Sequence, residues 1–189
     1  MSDAMSDYRR ALEGFDTIAR GVPSDRWLSQ SPCAEWKAID VAGHVIGGQH
    51  MVRVWATGAS QPANRPSLRE LASDDPVAAW TSAKEASLAA LTPEALDRVI
   101  RTQNFGEVRL GAFIQTFILD VIVHTWDLAQ ASGQQVVLPP DLVHACFEWA
   151  KRQEKHLRDR GLVGPAQPAP ADADEQTRLM AFLGRAAPS

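Results

Sequence analysis

Cysteine is scarce in this 189-residue chain, which carries only Cys33 and Cys146, far apart. That pair makes neither a disulfide framework nor a paired-cysteine metal motif. An excess of positive charge is missing as well: 19 Lys and Arg stand against 23 Asp and Glu, for a net charge of −4. Nucleic acid and anionic membrane surfaces are therefore not expected partners. The opening Met1-Ser-Asp-Ala-Met-Ser-Asp7 lacks the basic and apolar regions of a secretory signal, so the cytoplasm is the expected compartment. No apolar run is expected to reach the roughly 20 residues that span a bilayer, and no solenoid-type repeat is visible.

What is present is the composition of a globular protein, 45% hydrophobic and 22% charged. The length favours a single domain over residues 1–189 with a substantial core. Helical periodicity dominates. A first helix is predicted from Ser6 to Val22, with Tyr8, Leu12, Phe15 and Ile18 on its apolar side. A second runs from Ala38 to Thr57, closed by Gly58, with Asp40 in its first turn, where a negative charge suits the helix dipole. Between them, Trp27 and Trp36 sit in a connection and are read as plugs for one end of a bundle. Cys33 in the same connection is read as packing rather than as a reactive thiol.

The stretch from Gly58 to Asp75 is polar, without periodicity, and is predicted to be a long loop. A third helix follows from Pro76 to Leu91, capped by Asp74 or Asp75. Thr92 to Leu96 begins like a helical turn, and the segments on either side of Gln103-Asn-Phe-Gly106 read as a small β-hairpin. The central helix is predicted from Leu110 to Ser132, with Gly133 as its stop. A fifth helix spans Pro140 to Arg160. A proline-rich linker then begins at Gly164 and leads to a short, docked tail helix, Glu175 to Leu183.

The central helix carries the chemistry. Phe113, Phe117, Asp120, His124, Asp127 and Ala131 recur at spacings of three and four and so share one face. A carboxylate and an imidazole one turn apart on an apolar helix cost several kcal/mol if unpaired, roughly the range for buried polar groups. Asp120 and His124, four residues apart, could converge on one metal ion, with a third ligand from another helix, or they could simply bond to each other. Of His44, His50, His144 and His156, His44 is the best placed, among Ile39, Val41, Val45 and Ile46. His50 lies six residues beyond it, too far round the helix to serve the same ion easily. His144 and His156 read as surface groups. Asp127 either orients the His124 ring or is a solvent-facing or capping acid, and Trp126 reads as packing.

Ser31-Pro-Cys-Ala-Glu-Trp36, with Ala42-Gly-His44-Val, resembles the opening motif of DinB/YfiT-like metal-binding proteins. More narrowly, it is similar to the group related to mycothiol-dependent maleylpyruvate isomerase. Leu119-Asp-Val-Ile-Val-His-Thr-Trp-Asp-Leu-Ala129 resembles that group's second metal motif, and the stretch from Gly164-Pro to Arg185 resembles its tail. The resemblance implies a mainly α protein built on a four-helix bundle with one divalent metal, zinc first and nickel or iron next. It puts the ligands at His44, Asp120 and His124, although the isomerase itself has a glutamate in the place of Asp120. It also implies mycothiol or a similar small thiol as co-substrate, and an electrophile to receive it. The resulting expectation is a thiol transferase or isomerase. The alternatives are a non-catalytic metal- or ligand-binding bundle and a purely structural one, and a homodimer is compatible with each.

Overall fold

In the computed structural model the described residues are 4–61, 64 and 66–186. Residues 1–3 of the opening segment, 62, 63 and 65 of the expected loop, and 187–189 of the tail lie outside them. The chain divides after Gln134 into two units, Met1–Gln134 and Gln135–Ser189.

Four helices make the core of the first unit: α1 (Ala4–Arg20), α2 (Ala38–Thr57), α4 (Pro76–Ala90) and α6 (Leu110–Ser132). Each of α1 and α2 packs against both α4 and α6, which closes a four-helix bundle. Tyr8, Leu12 and Phe15 of α1, Val41, Val45 and Val52 of α2, Trp80 of α4, and Ile114, Ile122 and Leu128 of α6 meet in its interior. Each is at most 1% exposed, so the periodicity that predicts the helices also orients them. Asp75 caps α4 by accepting the Ala78 N–H at 2.9 Å. Gly133 ends α6 in the left-handed conformation (φ 74°), which a side chain would disfavour.

At 23 residues, α6 is long and apolar enough to span a bilayer by length and composition, which corrects the expectation that no segment reaches that length. Its most apolar stretch is 78% buried inside the protein, as befits the central helix of a bundle. The short α5 (Pro93–Leu96) and an antiparallel hairpin, β1 (Val99–Thr102) and β2 (Gly106–Arg109), lead into it. The hairpin register pairs Val99 with Arg109 and Thr102 with Gly106.

The stretch predicted as a loop holds a five-residue helix, α3 (Leu68–Ala72). Ser67 accepts the Glu70 N–H at 3.2 Å while the Glu70 carboxylate accepts the Ser67 N–H at 2.7 Å. This reciprocal cap satisfies two donors that a short helix otherwise leaves to water. Helix α3 lies against α2, so closely that a Cβ at Gly43 would stand 1.9 Å from the Leu68 carbonyl oxygen. Arg69 also reaches Asp40, whose carboxylate accepts the Lys37 N–H at 2.8 Å and so caps α2.

In the second unit, α7 (Pro140–Asp159) and α8 (Glu175–Phe182) pack together. The rings of Phe147 and Phe182 meet edge to face at 5.5 Å, and the Arg158 guanidinium lies 5.0 Å from the Phe182 ring centre. Asp174 caps α8 by accepting the Thr177 N–H at 2.8 Å.

Candidate metal centre

Helices α2 and α6 cross so that His44 faces Asp120 and His124. The Asp120 Oδ1 lies 3.0 Å from His44 Nε2 and 3.5 Å from His124 Nε2. The two imidazole rings stand edge to face with centres 4.6 Å apart. The three donor atoms lie within 4.8 Å of one another. The cluster is partly open to solvent: the side chains of His44 and Asp120 are 35% and 29% exposed, that of His124 9%.

Behind His124 the environment changes. Asp127, one turn further along α6, has a side chain with no exposure at all, which removes the solvent-facing reading. Its Oδ2 accepts from His124 Nδ1 at 2.9 Å and from the Cys33 thiol at 3.3 Å. The buried carboxylate thus holds the ring with Nε2 turned toward Asp120 and His44.

The electrostatics follow from this packing. Burial pushes the Asp120 carboxyl up, but the positive charge of His44 and then of His124 outweighs it and holds the group well below the carboxylate range. For His124 burial works downward, and is overturned by the Asp120 charge and by hydrogen bonds to Asp120, Asp127 and Cys33. The imidazole is held well above its ordinary value.

The loop before α2 completes the enclosure. Its Gln30 amide nitrogen lies 3.0–3.2 Å from the carbonyl oxygens of Ser31, Cys33, Ala34 and Trp36, which share its two N–H donors and pin the turn that presents Cys33 and Trp36. Trp36 lies 4.8 Å from the His44 ring and 5.6 Å from the His124 ring, centre to centre. It covers the histidines directly, and Cys33 packs by hydrogen bonding rather than as an inert hydrophobe. Neither role is visible from residue type, because Cys33 and Asp127 are 94 residues apart. The one available signal is that Cys33 and Trp36 belong to the motif that also leads to His44.

His50, the other histidine of the first unit, is not among the donors of the cluster. It lies on α2, its imidazole held down by partial desolvation of the ring and by the Arg53 charge. His144, in the second unit, pairs with Glu175 at 2.9 Å, and His156 is half-buried on the same helix. Asp40 serves the α2 terminus, and Trp126 is buried at 6% exposure.

His124 belongs to two groups of metal-competent donors: His44–Asp120–His124 through Nε2, and Cys33–His124–Asp127 through Nδ1. The donor set of the first group suits zinc or non-haem iron, two imidazoles and a carboxylate. Ligand atoms at about 2.1 Å around a tetrahedral ion are roughly 3.4 Å apart. The separations of 3.0 and 3.5 Å are close to that value. The second group is closed to solvent at Asp127.

Residues 8–129 match the family described as mycothiol maleylpyruvate isomerase N-terminal domain. Two uncharacterised proteins of Mycobacterium tuberculosis, from strains CDC 1551 and H37Rv, are each 30% identical to the chain. In both cases the similarity covers 97% of this chain and 98% of the relative. No solved structure matches the chain.

Proposed function

The chain belongs to the mycothiol maleylpyruvate isomerase N-terminal domain family, and we propose that it is a metal-dependent thiol transferase or isomerase. His44, Asp120 and His124 would hold one divalent ion, zinc first, with mycothiol or a similar small thiol as co-substrate and an electrophile as acceptor. A bound ion of this kind lowers the pKa of a thiol that reaches it and so supplies a thiolate at neutral pH.

The observation that carries the reading is the half-open convergence of two imidazoles and one carboxylate within 4.8 Å. Each residue has a part that follows from its place. Asp120 supplies the negative charge. His44, the most exposed of the three, borders the opening through which a substrate would enter. Asp127 accepts the Nδ1 proton of His124 and leaves Nε2 free to bind. Trp36 shields the rings from bulk water on one side. Three protein ligands leave a coordination position for the thiol, as catalytic rather than structural zinc sites do.

The test is elemental analysis of the full chain after zinc loading and dialysis, followed by a thiol-consumption assay with and without the metal. About one ion per chain, lost in His44→Ala, with a metal-dependent rate, is the expected result. Stoichiometric metal without any thiol chemistry favours the non-catalytic binding bundle. Absence of metal leaves the structural one.

A further inference from the structure

The seam between α2 and α6 continues beyond the three candidate ligands, and its character changes from ionisable to aromatic. On α2 the residues facing it are His44, Gly48 and Trp55. On α6 they are His124, Asp120, Phe117 and Phe113. The helices run antiparallel here, so that His44 meets Asp120 while Trp55 meets Phe113. The ring centres of Trp55 and Phe113 are 5.6 Å apart, those of Phe113 and Phe117 are 5.6 Å apart, and those of Trp55 and Phe117 are 6.0 Å apart. Phe117 is one helical turn from Asp120, and Gly48 one turn from His44.

Burial separates this stripe from the core. Val41, Val45 and Val52 of α2 are wholly buried, whereas His44, Gly48, Trp55, Phe117 and Asp120 are half-buried, with Phe113 and His124 buried behind them. An aromatic row serving only as core would be sealed like the valines. Gly48 lets the Phe117 ring lie against the α2 backbone: a Cβ there would stand 3.4 Å from that ring, in ordinary contact, and a longer side chain would displace it.

We propose that this seam is the groove for the electrophilic co-substrate, and that the co-substrate is flat and apolar, of the aromatic class. The inference rests on the thiol-transfer reading above and names the partner substrate of the same site. Ring walls gain from stacking and from excluding water. Phenylalanine rings offer no donor to a carboxylate, and the row's single N–H, on the Trp55 indole, replaces only part of the hydration a carboxylate would lose there. Trp36 at one end and Phe117 at the other bracket the ligand triad along the helix axes. A flat molecule lying on Phe117 and Trp55 would therefore bring one edge to the triad.

The experiment uses the zinc-loaded full chain and the neutral fluorophore N-phenyl-1-naphthylamine, titrated at equilibrium, with maleate as a small dicarboxylate competitor. Saturable binding is expected, unaffected by maleate, and weakened about two- to tenfold in Phe117→Ala and in Trp55→Ala. Gly48→Leu is expected to abolish it with zinc content unchanged. Should Gly48→Leu fail to fold, judged by circular dichroism, the two alanine variants decide. Zinc-loaded wild type that binds no probe, probe binding indifferent to both alanine variants, or displacement by maleate would each overturn the groove. Probe binding with this variant pattern in a chain that holds no zinc would uphold the groove and overturn the metal reading instead.

Discussion

Two seams of the same bundle place an aspartate among partners and arrive at opposite chemistry. On the α1–α4 side, Asp16 accepts from Arg20 at 2.7 Å, from Lys84 at 2.7 Å and from the Trp80 indole at 3.0 Å. On the α2–α6 side, Asp120 faces two imidazoles at 3.0 and 3.5 Å. Arg20 and Lys84 keep their charge at any pH near neutrality, and the Trp80 indole has no charge to lose. The partners of Asp120 can give up protons, and a neutral imidazole is a metal ligand. The first seam is a fastening, whereas the second can exchange its protons for a cation.

The non-ionised polar groups repeat the contrast. Tyr8 and Ser87 both donate to Gln49 Oε1, at 2.7 and 2.8 Å, and no member of this trio is more than 1% exposed. Burial above all holds the Tyr8 hydroxyl well above its ordinary value, so it stays protonated. The trio ties α1, α2 and α4 together without offering anything to solvent.

Breaking the α2–α6 seam should have the largest effect. In His124→Ala, metal retained through dialysis should fall from about one ion per chain to essentially none, because two ligands make a weak site. Elemental analysis reads this directly, and full retention would move the site elsewhere. Asp127→Asn should keep the fold but weaken zinc about 10- to 100-fold in a chelator competition, the usual cost of losing the group that orients a ligating histidine. Wild-type affinity should also fall as pH is lowered, because the proton that His124 holds firmly must leave before the metal enters.

The α1–α4 side should answer in stability alone. Gln49→Ala, on the α2 residue that joins this side, strips the Tyr8 hydroxyl of its acceptor and leaves Ser87 only the Lys84 carbonyl. It should cost about 2 kcal/mol in urea unfolding, with metal affinity unchanged. Asp16→Asn should cost less, on the order of 1 kcal/mol once solvent screening is discounted. Burial pushes the Asp16 carboxyl up, but Arg20 and Lys84 outweigh it and lower it from 3.8 to about 2. Its contribution is therefore fully present above pH 3.8 and is lost as pH falls toward 2. In Asp16→Asn, the urea midpoint should lose that part of its acid dependence. A variant of either seam that moved both stability and metal affinity equally would erase the distinction between them.

Much of this architecture is legible in residue order, for physical reasons. Leu110 to Ser132 has long uninterrupted periodicity and a terminal glycine, so both bounds of α6 can be read. The pairing of Asp120 with His124 follows from helical spacing, and His44 from its apolar neighbours. Helix α3 escapes because five residues are too few to show a period. Its trace is the Ser67-x-x-Glu70 capping pattern inside a polar stretch. The Cys33–Asp127 contact and the Gln49 trio escape for another reason. They join residues 94, 41 and 38 positions apart through side chains whose types admit many roles. Long-range polar contacts depend on how helices rotate against one another, and a periodicity analysis fixes each helix only separately.

The close approach at Gly43 bears on how the chain tolerates change. With 1.9 Å between a hypothetical methyl carbon and the Leu68 carbonyl oxygen, even alanine would push α3 off α2. Helix α3 carries Arg69, which steadies Asp40 at the start of α2, one turn before His44. In a library randomised at every position and selected for metal uptake, residue 43 would be as intolerant as a ligand, although it contributes no donor atom. Such a map would outline a clearance of one hydrogen atom, and a reader looking only for chemistry would mistake it for an active group.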